Sequence, residues 1–259
     1  MDVKRELAKR LAQLRRSGEQ QSGLADALVP PDVLTAYEIA GMVAEELGWS
    51  VAGWKIAATN AEMQSALRTD APIYGRVFEP EVRPTPVAVE HARLSSPIPE
   101  AEYQVRLGVD LPPRSSAYVL DEVAAAVASV HPGLELAECR FIHDKQFPPL
   151  PAILADGAGS GTLVYGPAID DWRNRDIVDQ EVVLYCNGEV RRQGTARAAL
   201  EHPLVPLTWL ANELSRTGVG LKAGQLVSTG TMTGMLRPKP GDCYLADFGA
   251  LGQVTATYT

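Results

Sequence analysis

At 259 residues, with 46% hydrophobic and 22% charged positions, the chain can bury a large core and has the composition of an ordinary globular protein. A formal charge of −8 argues against a surface built for nucleic acid or anionic lipid, either of which needs concentrated basic charge, and favours an enzyme with a small-molecule substrate. Three widely spaced cysteines offer neither a disulfide framework nor a Cys-x-x-Cys knuckle, no apolar run approaches the roughly 20 residues of a membrane span, and the first ten residues lack a signal-peptide core; a cytoplasmic protein with no membrane partner is expected.

Val3, Leu7, Leu11 and Leu14 recur at helical spacing and predict an amphipathic arm to about residue 17, whose basic residues read as a solvated face without a function. After Pro30-Pro31, Asp32 can cap a helix that runs to about Leu47, where Gly48 supplies a stop. Val51 to Ala58 reads as a strand and Ala61 to Leu67 as a short helix. Strands then dominate: Ile98 to Leu107, Leu134 to Phe141, Val182 to Cys186, Glu189 to Arg192, Leu226 to Thr229, Tyr244 to Asp247 and Gln253 to Thr257. Asn187-Gly188 marks a hairpin turn. Helices interrupt at about Asp121 to Val130, with Asp121 as cap, and at Leu204 to Arg216. The order predicts an α+β fold, with a helical N-terminal region over 1–85 and a β-rich catalytic domain over 86–259.

Glu100 and Glu102 flank Ala101 on a predicted strand, so their side chains share a face about 7 Å apart at the Cα atoms. Carboxylates that close repel unless a proton or cation lies between them, and a hard divalent ion such as Mg²⁺ or Mn²⁺ resolves the repulsion through oxygen ligands. A third acid, Glu135, shares its strand face with Ala137 and Cys139 and needs a partner: an ion, which three carboxylates would hold with positions left for substrate, or a surface arginine. Glu138 and Arg140 read as an ion pair. Lys55 is the one charge in Val51-Ala-Gly-Trp-Lys-Ile-Ala-Ala58, so its ammonium either reaches water along its stem or faces an anion.

Asp156-Gly-Ala-Gly-Ser-Gly161 is followed by strand-like Thr162-Leu-Val-Tyr165 and not by the helix a dinucleotide fingerprint requires, so nucleotide binding is rejected. Its glycines let backbone amides and Ser160 approach a small anion, or form a plain tight turn. In Val227-Ser-Thr-Gly-Thr-Met-Thr-Gly234, Thr229 and Thr231 are candidate ligand contacts. His131 and His202 precede prolines and read as turn residues, His91 falls in a loop, and His143 has no Ser or Cys elbow beside it.

The ordered set Gly53-Trp-Lys-Ile, Met63-Gln, Pro72-Ile-Tyr-Gly75, Glu100-Ala-Glu102, Leu134-Glu135 with Arg140, Ala155-Asp156 with its glycine/serine loop, His202-Pro-Leu with Trp209-Leu-Ala-Asn212, and Gly241-Asp242 before Leu251-Gly252 resembles the hydratase/decarboxylase branch of the fumarylacetoacetate hydrolase superfamily. The resemblance runs from about residue 30 to the C-terminus. It implies a mixed β-roll catalytic domain, a homo-oligomer, Glu100, Glu102 and Glu135 as ligands of Mg²⁺ or Mn²⁺, Lys55 as the active-site lysine, and Ser160 in a substrate-contacting loop. The implied substrate is a small 2-oxo acid reacting through an enolate, which a 2-keto-4-pentenoate hydratase hydrates and a 4-oxalocrotonate decarboxylase forms with loss of carbon dioxide. Acylpyruvate hydrolysis and a non-catalytic relative are the remaining alternatives. Two positions depart from the branch: Ile73 stands where hydratases usually carry an acid, as in the decarboxylases, and Gly157 and Gly159 stand where asparagine and serine are usual.

Overall fold

Asp2 accepts the amides of Lys4 and Arg5 and opens the helix Val3–Ser17, which Gly18 ends in the left-handed region at φ 74°. The computed structural model describes residues 2–142 and 148–259, so the reading of His143 lies outside the described residues. The first helix buries Leu7, Ala8, Leu11, Ala12 and Leu14, whereas Val3, at its open end, is exposed. It packs on a second helix, Val33–Leu47, capped by Asp32 at the amide of Thr35 (2.7 Å) and stopped by Gly48. A short helix, Leu150–Ala155, lies against the second, and their apolar faces join Leu67, Ile73 and Phe78 in one hydrophobic cluster.

The main sheet has seven strands in the spatial order Ile73–Phe78, Val51–Ala57, Leu226–Ser228, Ile98–Leu107, Val127–Ala137, Thr162–Tyr165, Val82–Pro84. Its two central strands pair antiparallel over most of their length and are buried almost throughout. A five-stranded sheet, Glu189–Gly194, Val182–Cys186, Cys243–Asp247, Gln253–Tyr258, Val87–Val89, packs on the main sheet across a second core that includes Tyr103, Leu134, Leu184, Tyr244 and Val254. Helix Leu204–Arg216 closes that core with Leu207, Leu210 and Leu214. Asn187 (φ 54°) and Gly188 (φ 83°) form the expected hairpin turn, with both central residues left-handed. Helices and two packed sheets make this an α+β fold, as the order of elements predicts. No helix among the described residues is long and apolar enough to cross a membrane.

The segment expected as one helix over Asp121 to Val130 divides. The helix spans only Leu120–Ala126, and Val127–Ala137 is a single strand, so the strand expected from Leu134 begins seven residues earlier. Asp121 is not its cap; the carboxylate of Glu122 takes the amide of Val119 instead. Pairing of Val127 to Leu107 and Val130 to Val105 outweighs the helical preference of the alanine run. His131-Pro132 is therefore strand and not turn. Pro132 directs its carbonyl away from the Ile98–Leu107 strand to the amide of Gly166 (2.8 Å), beyond the end of the neighbouring ladder, so its missing N–H forfeits no ladder bond.

Strand Ile73–Phe78, which the sequence pattern does not announce, is pressed against the 156–161 turn. A Cβ built on Gly75 would lie 1.8 Å from the carbonyl oxygen of Gly157. Gly75→Ala is expected to lower unfolding stability by about 1–3 kcal/mol in urea titrations, because one backbone must retreat. An unchanged midpoint would show that the two segments are not in contact in solution.

Candidate metal centre

Antiparallel register places Glu100 opposite Glu135 and Glu102 opposite Gly133, so the two central strands bring three carboxylates to one face. One oxygen from each lies within 4.8 Å of the others, and all three residues are buried. Lys55 comes from the Val51–Ala57 strand, paired with Ser228 on one side and Gly75 on the other. Three strand spacings separate it from the strand of Glu135, about 14 Å in a flat sheet. The curl of the sheet closes that gap: Lys55 Nζ lies 3.4 Å from Glu135 Oε1. The lysine faces an anion and does not snorkel.

Hydrogen bonding divides the three acids. Glu102 Oε2 accepts the hydroxyl of Ser228 (2.7 Å) and the amide of Gly230 (2.8 Å), which fixes its orientation and leaves Oε1. Neither oxygen of Glu135 has a hydrogen-bond donor among the described residues. Burial, then the nearby Glu135, pushes Glu100 up to about 7. Burial, followed by Glu135 and Glu100, holds Glu102 well above the usual carboxylate range, and burial also raises Glu135. Burial opposes the charge on Lys55, but the combined attraction of Glu135, Glu100 and Glu102 prevails and raises its pKa.

Fully ionised, three carboxylates and one ammonium carry two surplus negative charges, which a divalent cation cancels. Oxygens bound at 2.0–2.1 Å to one Mg²⁺ can be at most about 4.2 Å apart, and Ca²⁺ accepts about 5 Å. With every pair inside 4.8 Å, the cluster is of the size that one hard divalent ion bridges. The donor set, all hard oxygen with Glu135 held by an ion pair to Lys55 and by no geometric hydrogen bond, fits such an ion.

Lys55, Glu100 and Glu102 line a cavity whose other walls include Met63, Leu67, Ile73, Ile98, Ile153 and Met235. Thr59, Asn60 and Thr231 add polar groups to its lining. Of these only Thr231 was singled out by sequence; Asn60 could have been found as the cap of the Ala61–Leu67 helix. Ser160 and Thr229 are not among the lining residues. The Ser160 hydroxyl is taken by Arg15 (2.8 Å), with Ala158 and Gly159 facing the cavity in its place, and the Thr229 hydroxyl donates to the carbonyl of Tyr103 (3.0 Å). Arg140 pairs with Asp156 (3.5 Å) and not, as expected, with the carboxylate of Glu138, which accepts the amide of Ser95 (2.7 Å).

Residues 55–258 match the fumarylacetoacetate (FAA) hydrolase C-terminal family. Among curated proteins, the 2-keto-4-pentenoate hydratase of Paraburkholderia xenovorans (strain LB400) is 31% identical over 260 residues, covering 98% of this chain and 94% of that one. The 4-oxalocrotonate decarboxylase of Pseudomonas putida is 29% identical over 214 residues, covering 83% and 80%. Among solved structures, the 4-oxalocrotonate decarboxylase from Pseudomonas putida G7, complexed with magnesium and adipate, superposes with a TM-score of 0.90 at 25% identity over 99% of this chain and 97% of that one.

Magnesium is expected to raise the thermal unfolding temperature, adding about 2.7 kcal/mol at a hundred times its Kd. Glu100→Gln should remove most of that gain while leaving the metal-free protein at least as stable, since it deletes a repelled charge. Calorimetric scans with and without metal decide it; a full magnesium response in the variant would remove Glu100 from the centre.

Proposed function

We infer that this chain, which belongs to the fumarylacetoacetate hydrolase family, is a divalent-metal-dependent lyase that acts on a small 2-oxo acid in the manner of a 2-keto-4-pentenoate hydratase. The observation that carries the reading is the buried Glu100, Glu102 and Glu135 cluster, with Lys55 3.4 Å from Glu135, beside a largely apolar cavity that Lys55, Glu100 and Glu102 line. The three glutamates would hold Mg²⁺ or Mn²⁺. When bound, the ion supplies a Lewis acid for the carboxylate and 2-oxo oxygens of the substrate.

The remaining work falls to the protein's own residues. Lys55, 3.4 Å from Glu135, would serve as a positive charge where the enolate develops. Ser228 and the Gly230 amide hold Glu102 in one orientation. The aliphatic wall of Leu67, Ile73 and Ile153 receives the tail of the substrate and suits an uncharged vinyl group. Thr59, Asn60 and Thr231 can orient the water that hydration adds; the Asn60 side-chain oxygen already caps Met63, which leaves its amide nitrogen for that task.

A specific observation supports decarboxylation as the second reading. Ile73 lies in the cavity wall, and an apolar neighbour destabilises a carboxylate that departs as neutral carbon dioxide. Self-association into a homo-oligomer belongs to the same reading. The free thiols of Cys139, Cys186 and Cys243 support a reducing, cytoplasmic setting.

With Mg²⁺ present, loss of the ultraviolet absorbance of 2-hydroxypenta-2,4-dienoate without release of carbon dioxide is the expected result. Carbon dioxide from 4-oxalocrotonate with no dienoate hydration would reverse the order of the two readings, and inertness toward both would remove them. Lys55→Ala should lower kcat about 10²- to 10³-fold with metal still bound; an unfolded variant would show instead that the lysine is structural.

A further inference from the structure

Arg15 differs from its basic neighbours on the first helix. Lys4 and Arg5 meet Glu38, Glu45 and Glu46 at the surface, but the Arg15 side chain is only 4% exposed and runs into the body of the protein. Its Nη1 donates to Glu81 Oε1 (2.6 Å). Its Nη2 donates to the hydroxyl of Ser160 (2.8 Å) and reaches the carbonyls of Ser160 (3.2 Å) and Asp156 (3.4 Å). The guanidinium also lies 5.3 Å from the ring centre of Phe78. From the other side, both terminal nitrogens of Arg140 donate to the Ser160 carbonyl, at 2.9 and 2.8 Å, and Asp156 accepts the Arg140 amide at 3.0 Å.

Between these clamps the backbone turns through three consecutive left-handed residues, Gly157 (φ 79°), Ala158 (φ 55°) and Gly159 (φ 74°). Ala158 adopts a conformation that L residues avoid, so the turn persists only where its surroundings impose it. Ala158 and Gly159 form part of the cavity wall. The Gly157 carbonyl rests against Gly75, the register partner of Lys55. Contacts thus run unbroken from the first helix to both the wall and the strand bearing the lysine.

We propose that Arg15 is a positioning residue: from the N-terminal helix it fixes the 156–160 turn, and through that turn it sets the cavity wall. The kinetic consequence rests on the 2-oxo acid reading; the structural one does not. Arg15→Met and Arg15→Lys in the full chain with Mg²⁺ test it by two measurements. In hydrogen exchange, Arg15→Met should exchange about tenfold faster over residues 154–162 while 98–107 is unchanged. In steady-state assays of the dienoate, KM should rise about tenfold with kcat within about threefold and magnesium affinity unaltered. Lysine can meet Glu81 but cannot fork between Ser160 and Asp156, so Arg15→Lys should recover thermal stability more fully than KM. Unchanged exchange, faster exchange everywhere, or parallel recovery of stability and KM would overturn the proposal. A wild-type protein that turns over no 2-oxo acid would defeat the assigned function, and the exchange measurement would still decide the role of Arg15.

Discussion

Three carboxylates confined where water cannot screen them are the constraint to which the rest of the fold answers. At separations of up to 4.8 Å and an effective dielectric constant near 20, each fully ionised pair repels by about 3.5 kcal/mol or more. Three such repulsions rival the 5–15 kcal/mol by which a whole domain is stable. Lys55 offsets roughly one of them, and the two donors on Glu102 ease part of another. What remains calls for a proton or a cation, and burial pushes all three acids toward protonation. A fold with no use for the cluster would gain stability by replacing it with apolar side chains. Its survival in a cavity lined largely by aliphatic residues is the physical argument for a ligand that is both metal-chelating and, at its far end, apolar.

The architecture concentrates these charges by curling a sheet and by letting backbones touch. Lys55 reaches Glu135 across three strand spacings, a gap that the long side chains and the bending of the sheet close together. The curl exposes no backbone polarity, since the short Leu226–Ser228 strand fills the interval and pairs on both sides. Close approach of the Gly75 and Gly157 backbones then seats the 156–161 turn over the same strand. Glycine at position 157 suits this packing: a Cβ there would meet the Ser160 hydroxyl at 2.9 Å and the Arg15 guanidinium at 3.3 Å.

Much of the site was legible because period-two alternation is a strong signal. Glu-Ala-Glu on a strand fixes a shared face whatever the strand pairs with, and a lone lysine in an apolar run must find an anion or water. The partnership of Glu135 with Glu100 was not legible from pattern, because register depends on contacts distant in sequence. The same non-local pairing turned four residues of an expected helix into strand and carried His131-Pro132 into the sheet interior. Ser160 and Thr229 were chosen for their loops, but a loop's position does not specify which hydroxyl faces a ligand; buried backbone and guanidinium partners took both. Arg15 was missed for a related reason. Helical periodicity separates an apolar stripe from a charged face, yet a long side chain at the border can turn inward when the body supplies an acid and free carbonyls.

The hydratase and decarboxylase chemistries call on the same carboxylate cluster and lysine and part only at the tail. In either reading Lys55 would steady charge on the 2-oxo oxygen. Whether the next event is addition of water or departure of carbon dioxide depends on what the distal carbon meets. An aliphatic wall raises the energy of a distal carboxylate but binds a vinyl group without penalty, so it accelerates decarboxylation only of a diacid that has already been admitted. Admission of the diacid is thus the discriminating step, and the cavity's bias toward an uncharged tail places hydration first.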